Sequence, residues 1–147
     1  MKSYASIRWK ITSQIESNRL MITELFTPFV DFAGRTVLEL GCNKGYLLNS
    51  FLQLSEFRAI GAEIHPEALK IAEANYGERI TFIRTSADRI PLPDESVDVI
   101  YTIDTVEHLS SPSKIFSEYF RVLRPGGMFL VHFGAWLTPY GSLILRT

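Results

Sequence analysis

Five short apolar runs alternate with helical stretches along this chain, and that alternation leaves few folds open. Thr36–Leu40 reads as a buried strand, followed by a glycine-bearing turn and a helix over Tyr46–Leu54. Arg58–Ile64 reads as a second strand. Pro66–Tyr76 reads as a helix with proline at its first position, where the missing N–H has no intrahelical partner to lose, and with Gly77 as its stop. Ile80–Ile83, Val97–Ile103 and Met128–Phe133 supply three further strands. A helix over Ile115–Leu123, opened by Ser111-Pro112 and closed before Pro125, separates the last two. Strands joined by helices through short connections predict a doubly wound, mostly parallel sheet with helices on both faces. Ligands of such sheets sit beyond the carboxyl ends of the strands, near the point where strand order reverses.

The 147 residues suffice for one domain, and a hydrophobic fraction of 46% supplies a sizeable core. Residues 1–33 are expected to form a helical segment of that domain, since Ile11, Ile15, Ile22, Phe26 and Phe29 recur at helical spacing until Pro28 breaks the pattern. Residues 34–147 form its main body. A net charge of −1 argues against a dedicated nucleic-acid module, which would neutralise phosphates with an excess of lysine and arginine. The single cysteine, Cys42, fits a reducing compartment, and no apolar run is long enough for a membrane span, so a cytoplasmic protein is expected.

The chemistry is expected just after the strands. Glu39-Leu40-Gly41-Cys42-Asn43-Lys44-Gly45 joins the first strand to its helix, and its glycines permit a tight turn and a close approach of ligand to backbone. The order Lys44-Gly45-Tyr46 is not that of a P-loop. Asn43 stands where a dinucleotide fingerprint has its middle glycine; asparagine tolerates left-handed backbone, so the turn is expected to survive. The helix that follows offers unpaired N–H groups toward an anionic group. Glu63 ends the second strand about 20 residues on, the spacing at which a carboxylate accepts hydrogen bonds from ribose hydroxyls. Asp104, Glu107 and His108 have the spacing of some divalent-metal sites; a structural hydrogen-bonding role is expected of them ahead of a metal or a general base, and no metal is expected.

Taken in order, these segments resemble class I S-adenosylmethionine-dependent methyltransferases of the methyltransferase type 11 group. Val37–Gly45 is similar to that family's first motif and Gly61–Ile64 to its second. Ser86–Ile100 resembles its third region, while Val106-Glu107-His108-Leu109 and Arg121–Gly127 complete the series. The resemblance covers about residues 35–133. It implies a Rossmann-like fold, S-adenosylmethionine as cofactor, and methyl transfer to an acceptor that is expected to be a small molecule. It also implies roles. Glu39, with the backbone of Gly41, Cys42 and Gly45, faces the methionine part. Glu63 holds the ribose, and Ile64 packs on adenine. Asp88, helped by the backbone near Ala87, accepts from the adenine amino group. Thr102 and Ile103 line the methyl-transfer face. No catalytic residue is implied, because the methyl group is already activated and the protein has mainly to align the acceptor.

The family's sheet ends with two antiparallel strands after the fifth. Here the chain is expected to stop short of them, with one small strand at Leu143–Leu145 at most, leaving an edge open to self-association. The alternative is a non-catalytic domain that retains cofactor binding. A short-chain nicotinamide dehydrogenase would need a Tyr-x-x-x-Lys pair, and none of the six tyrosines has a lysine four residues on.

Overall fold

The computed structural model describes residues 26–105, 112–133 and 141–146. Six strands and three helices follow one another as β1 (Thr36–Leu40), α1 (Tyr46–Leu52), β2 (Arg58–Glu63), α2 (Pro66–Tyr76), β3 (Ile80–Arg84), β4 (Val97–Ile103), α3 (Pro112–Val122), β5 (Leu123–Phe133) and β6 (Gly141–Arg146). They form one sheet in the order β3-β2-β1-β4-β5-β6. The first five strands pair in parallel and β6 runs antiparallel on β5. Strand order reverses between β1 and β4, which opens a crevice above their carboxyl ends.

Side-chain alternation along the strands divides the core in two. On one face Val37, Val99, Tyr101 and Leu130 meet Leu48 and Phe51 of α1, together with Phe26, Val30 and Phe32 from the segment before β1. On the other, Leu38, Leu40, Ile100 and Phe129 meet Ile115, Tyr119 and Val122 of α3. Val37, Leu38, Val99, Ile100, Phe129 and Leu130 are all 0% exposed, so β1, β4 and β5 are covered on both faces, as the near-continuous apolar runs require. Ion pairs sit at the rim. Asp98 accepts from the Thr36 amide at 2.8 Å and from Arg124 Nη1 at 2.8 and 2.9 Å, which ties the starts of β1, β4 and β5 together. Arg121 of α3 holds the loop before β4 by donating to the carbonyls of Leu92 at 3.0 Å and Ile90 at 2.9 Å and to Glu118.

Boundaries differ from the sequence reading most toward the C-terminal end of the sheet. The helix expected over Ile115–Leu123 starts at Pro112, and the strand expected over Met128–Phe133 begins at Leu123. An irregularity makes this possible: Val97 pairs with Leu123 but Val99 with Met128, and Gly126 takes a positive φ of 79°, so the Pro-Gly-Gly residues loop out of register. Nor does the sheet stop at its fifth strand. The small strand allowed at Leu143–Leu145 extends over Gly141–Arg146 and pairs from Met128↔Arg146 to Phe133↔Gly141, because β5 otherwise presents a row of unpaired N–H and C=O groups. Of the helical segment expected over residues 1–33, residues 1–25 lie outside the described residues, as do Glu107 and His108, and the described residues 26–33 form turns rather than a helix.

Candidate functional site

A cavity of about 500 Å³ lies over the carboxyl ends of β1, β2, β3 and β4. Gly41 and Asn43 of the first turn, Glu63 and Ile64 from the end of β2, Ala87 and Asp88 beyond β3, and Asp104 and Thr105 beyond β4 form much of its wall. Its volume falls in the range of small-molecule and cofactor sites.

The turn after β1 is built from left-handed backbone: Gly41 has φ 74°, Asn43 φ 49° and Gly45 φ 74°. Asn43 therefore serves where the sequence pattern has a middle glycine, as expected of a residue whose short polar side chain tolerates that conformation. At Gly41 a Cβ would stand 2.6 Å from Thr105 Oγ1, itself a cavity residue, so the missing side chain lets Thr105 pack against the turn.

Glu63 is 6% exposed, yet it borders the cavity. Its Oε1 accepts from the amides of Ile64 at 2.8 Å and His65 at 2.9 Å, and its Oε2 accepts from the Asn43 amide at 2.8 Å. One carboxylate thus joins the turn after β1 to the turn after β2. With three of about four lone-pair sites taken, it has room for roughly one further strong donor. Ile64 beside it is 54% exposed, an apolar side chain left on the cavity wall. Across from it, Asp88 accepts from Ser86 Oγ, and that hydrogen bond, aided by Lys114, holds its carboxyl below the usual range.

Of the residues expected to meet a ligand, Gly41, Glu63, Ile64, Ala87 and Asp88 line one cavity. Glu39, Cys42, Gly45 and Thr102 do not, and each has a reason. Glu39 projects to the face opposite Leu40 and is 4% exposed beneath the turn. Cys42 is buried with Sγ against the glycine of β2, where a Cβ on Gly61 would lie 2.9 Å away. Gly45 faces packed rings: a Cβ would meet Phe82 Cζ at 2.9 Å and Tyr76 Cδ2 at 3.2 Å, so its bareness serves helix-to-sheet packing. Thr102 is still inside the sheet, paired with Leu40, and its Oγ1 donates to the Leu40 carbonyl at 3.1 Å. The opening begins past Ile103, so Asp104 and Thr105 take the place expected for Thr102 and Ile103.

Sequence reasoning missed His65, Thr85 and Ser86 as wall residues. Their position directly after a strand end was the available signal.

Glu39 Oε2 is buried and has no hydrogen-bond partner. Burial pushes its carboxyl up to about 8; the Tyr101 hydroxyl and the Leu48 backbone offset part of this, and the charge of Glu63 adds to it. The described wall carries the carboxyl groups of Glu63, Asp88 and Asp104 and neither lysine nor arginine. Such a wall suits a ligand bearing positive charge. Among the described residues no group of three or more His, Cys, Asp or Glu side chains could hold a metal ion. Among them, too, no helix is long and apolar enough to cross a membrane.

Comparison with known proteins places this geometry in context. A family profile described as a methyltransferase domain matches residues 38–131. A methyltransferase of Mycolicibacterium smegmatis named as S-adenosylmethionine-dependent is 40% identical over 99 residues, covering 67% of this chain and 38% of its own length. An uncharacterized methyltransferase of Mycobacteroides abscessus is 34% identical over 128 residues, covering 83% of this chain and 49% of its own. Among solved structures, the YcgJ protein of Bacillus subtilis superposes with a TM-score of 0.68 at 27% identity, over 80% of this chain and 50% of that one. The chain thus spans about half the length, or less, of the curated relatives it matches.

Proposed function

We propose that this chain, which belongs to the methyltransferase domain family, holds S-adenosylmethionine in the cavity at the β1/β4 crevice and presents its methyl group to a small-molecule acceptor. S-adenosylmethionine is the cofactor of the family, and a sulfonium-bound methyl group is what it supplies when bound. The observation that carries the reading is the convergence of Gly41, Glu63, Ile64 and Asp88, from three separate segments, on one cavity.

Each residue has a task its surroundings support. Gly41 lines the cavity with bare backbone and lets Thr105 seat beside it on the wall. Glu63, rigidly oriented by three amides, accepts a ribose hydroxyl with its remaining capacity. The exposed Ile64 covers one face of the adenine, and Asp88, with the backbone near Ala87, accepts from the adenine amino group. Cys42, Gly45 and Thr102 act from behind the wall, by packing and by stitching β4 to β1. Asp104 and Thr105 face the acceptor side, where alignment and exclusion of water do most of the work in a direct displacement.

Calorimetry with S-adenosylhomocysteine and, separately, with NAD tests the cofactor. Binding of the former with a Kd of order 10⁻⁶ M, about 8 kcal/mol, is expected, with none for NAD. Binding of NAD alone would overturn the reading. Glu63→Ala is expected to weaken binding about ten-fold or more, since a hydrogen bond to a charged group is lost and three amides are left unpaired. Turnover of radiolabelled methyl groups into a panel of small acceptors, measured beside binding, separates an enzyme from a domain that only retains the cofactor.

A further inference from the structure

Glu39 and Tyr101 are register partners on β1 and β4, and both side chains are buried on the same face of the sheet. Glu39 lies directly behind the turn whose backbone borders the cavity. The tyrosine ring is well used: it stacks on Phe51 with centroids 5.0 Å apart and tilts against Phe26 at 5.7 Å. Phenylalanine would make the same contacts, so packing does not account for the hydroxyl. That hydroxyl has no hydrogen-bond partner, and neither has Glu39 Oε2. The two groups are close enough for the hydroxyl to favour the charged form of Glu39, but the bond is not closed.

Two orphaned polar atoms side by side in a core call for an explanation, because buried polar groups are almost always paired. We propose that Tyr101 is a positioning residue for the cofactor site, acting through Glu39: its hydroxyl supplies the hydrogen bond that the Glu39 carboxylate takes up as it ionises under a cationic ligand. The proposal rests on the S-adenosylmethionine reading above. The Glu39 O–H bond breaks, its proton leaves to solvent, and Tyr101 keeps its own proton while donating to the new carboxylate.

The neighbours allow only this division. Around Glu39 stand Tyr101 from β4, Cys42 from the turn, Glu63 from β2 and the Leu48 backbone of α1. Burial and the two carboxylates push the Cys42 thiol up, and burial with Glu39 pushes the Tyr101 hydroxyl up, so both stay protonated at neutral pH. Glu63 is already committed to three amides. Of Glu39, Cys42 and Tyr101, Glu39 is therefore the one able to release a proton in the neutral range, and Tyr101 is the donor beside it.

The test compares wild type, Tyr101→Phe, Glu39→Gln and the double variant, using calorimetry with S-adenosylmethionine from pH 6 to 9 in buffers of different ionisation heat. The amino group of the ligand titrates in all four proteins and cancels in the comparison. Wild type is expected to release more protons than Glu39→Gln at pH 7. Tyr101→Phe is expected to bind about ten-fold more weakly at pH 7, the size of one lost hydrogen bond to a charged group, with the gap closing toward pH 9. In the Glu39→Gln background the same substitution is expected to change affinity less than about two-fold. Thermal melts of all four proteins locate any loss of folding. A fall in affinity that is equal at every pH, or effects that add in the double variant, would overturn the proposal and leave Tyr101 a packing residue. Failure of the wild type to bind either S-adenosylmethionine or S-adenosylhomocysteine would overturn the cofactor reading and the inference with it.

Discussion

A single carboxyl group carries much of the tension in this molecule. The Glu39 carboxyl is pushed from 4.5 up to about 8, chiefly by burial. Its folded form therefore keeps a proton that the unfolded chain has already lost above pH 4.5. The sign follows: the stabilising contribution of the protonated group is full below about pH 4.5 and is progressively lost as pH rises to about 8. Glu39→Gln, which carries no charge, is expected to be more stable than wild type at pH 8 by about 1–3 kcal/mol and nearly equal to it at pH 4.5. Urea unfolding of both proteins at the two pH values measures the difference; a constant gap would mean that Glu39 does not titrate in this window. The motif position of Glu39 was visible in the sequence, but its isolation was not. The Leu48 backbone and the Tyr101 hydroxyl, which offset part of the effect of burial, lie nine and 62 residues away and reach it only through the fold.

Two glycines only four residues apart in one turn do different work. Gly41 lets the wall residue Thr105 pack against the turn, whereas Gly45 lets α1 sit on Phe82 and Tyr76. Both hold φ 74°, so alanine at either strains the backbone by roughly 1–2 kcal/mol. Gly45→Ala also drives a Cβ into two aromatic rings, and it is expected to lower stability by about 2–3 kcal/mol while folded protein binds S-adenosylhomocysteine nearly as well as wild type. Gly41→Ala, whose Cβ would stand 2.6 Å from Thr105 Oγ1, is expected to lower stability by a comparable amount but also to weaken binding about ten-fold, because the side chain it displaces lines the cavity. Denaturation and calorimetry on the same samples distinguish the two. Equal effects on binding would show that the turn behaves as one unit. On α3, Arg121→Lys is expected to lose about 1–3 kcal/mol, because a single ammonium cannot serve Ile90, Leu92 and Glu118 together.

Across the whole sheet, the cavity and the far edge are separate concerns. The cavity draws on β1 to β4, while β6 pairs only with β5. Removing residues 141–147 is therefore expected to expose the β5 edge and promote concentration-dependent association, with S-adenosylhomocysteine affinity changed less than about three-fold. Light scattering and calorimetry on the shortened chain check both halves of that expectation. A large loss of affinity would mean that β6 supports the site through β5 and β4.

The chain's own residue order was enough to locate its elements. Thr36–Leu40, Val97–Ile103 and Pro66–Tyr76 could be read directly, because apolar runs, a leading proline and strand-ending acids are local signals. Residue order also located the five wall residues Gly41, Glu63, Ile64, Ala87 and Asp88, since a parallel doubly wound sheet has one end at which ligands are received. Only the tertiary structure decided which side of the wall each motif residue occupies. Glu39, Cys42, Gly45 and Thr102 sit in the same motifs, yet strand alternation and helix packing turn them inward. The structure alone extended β5 back to Leu123 and lengthened the small strand at Leu143–Leu145 into β6, because a ladder hydrogen bond depends on which strand lies alongside rather than on the strand's own sequence.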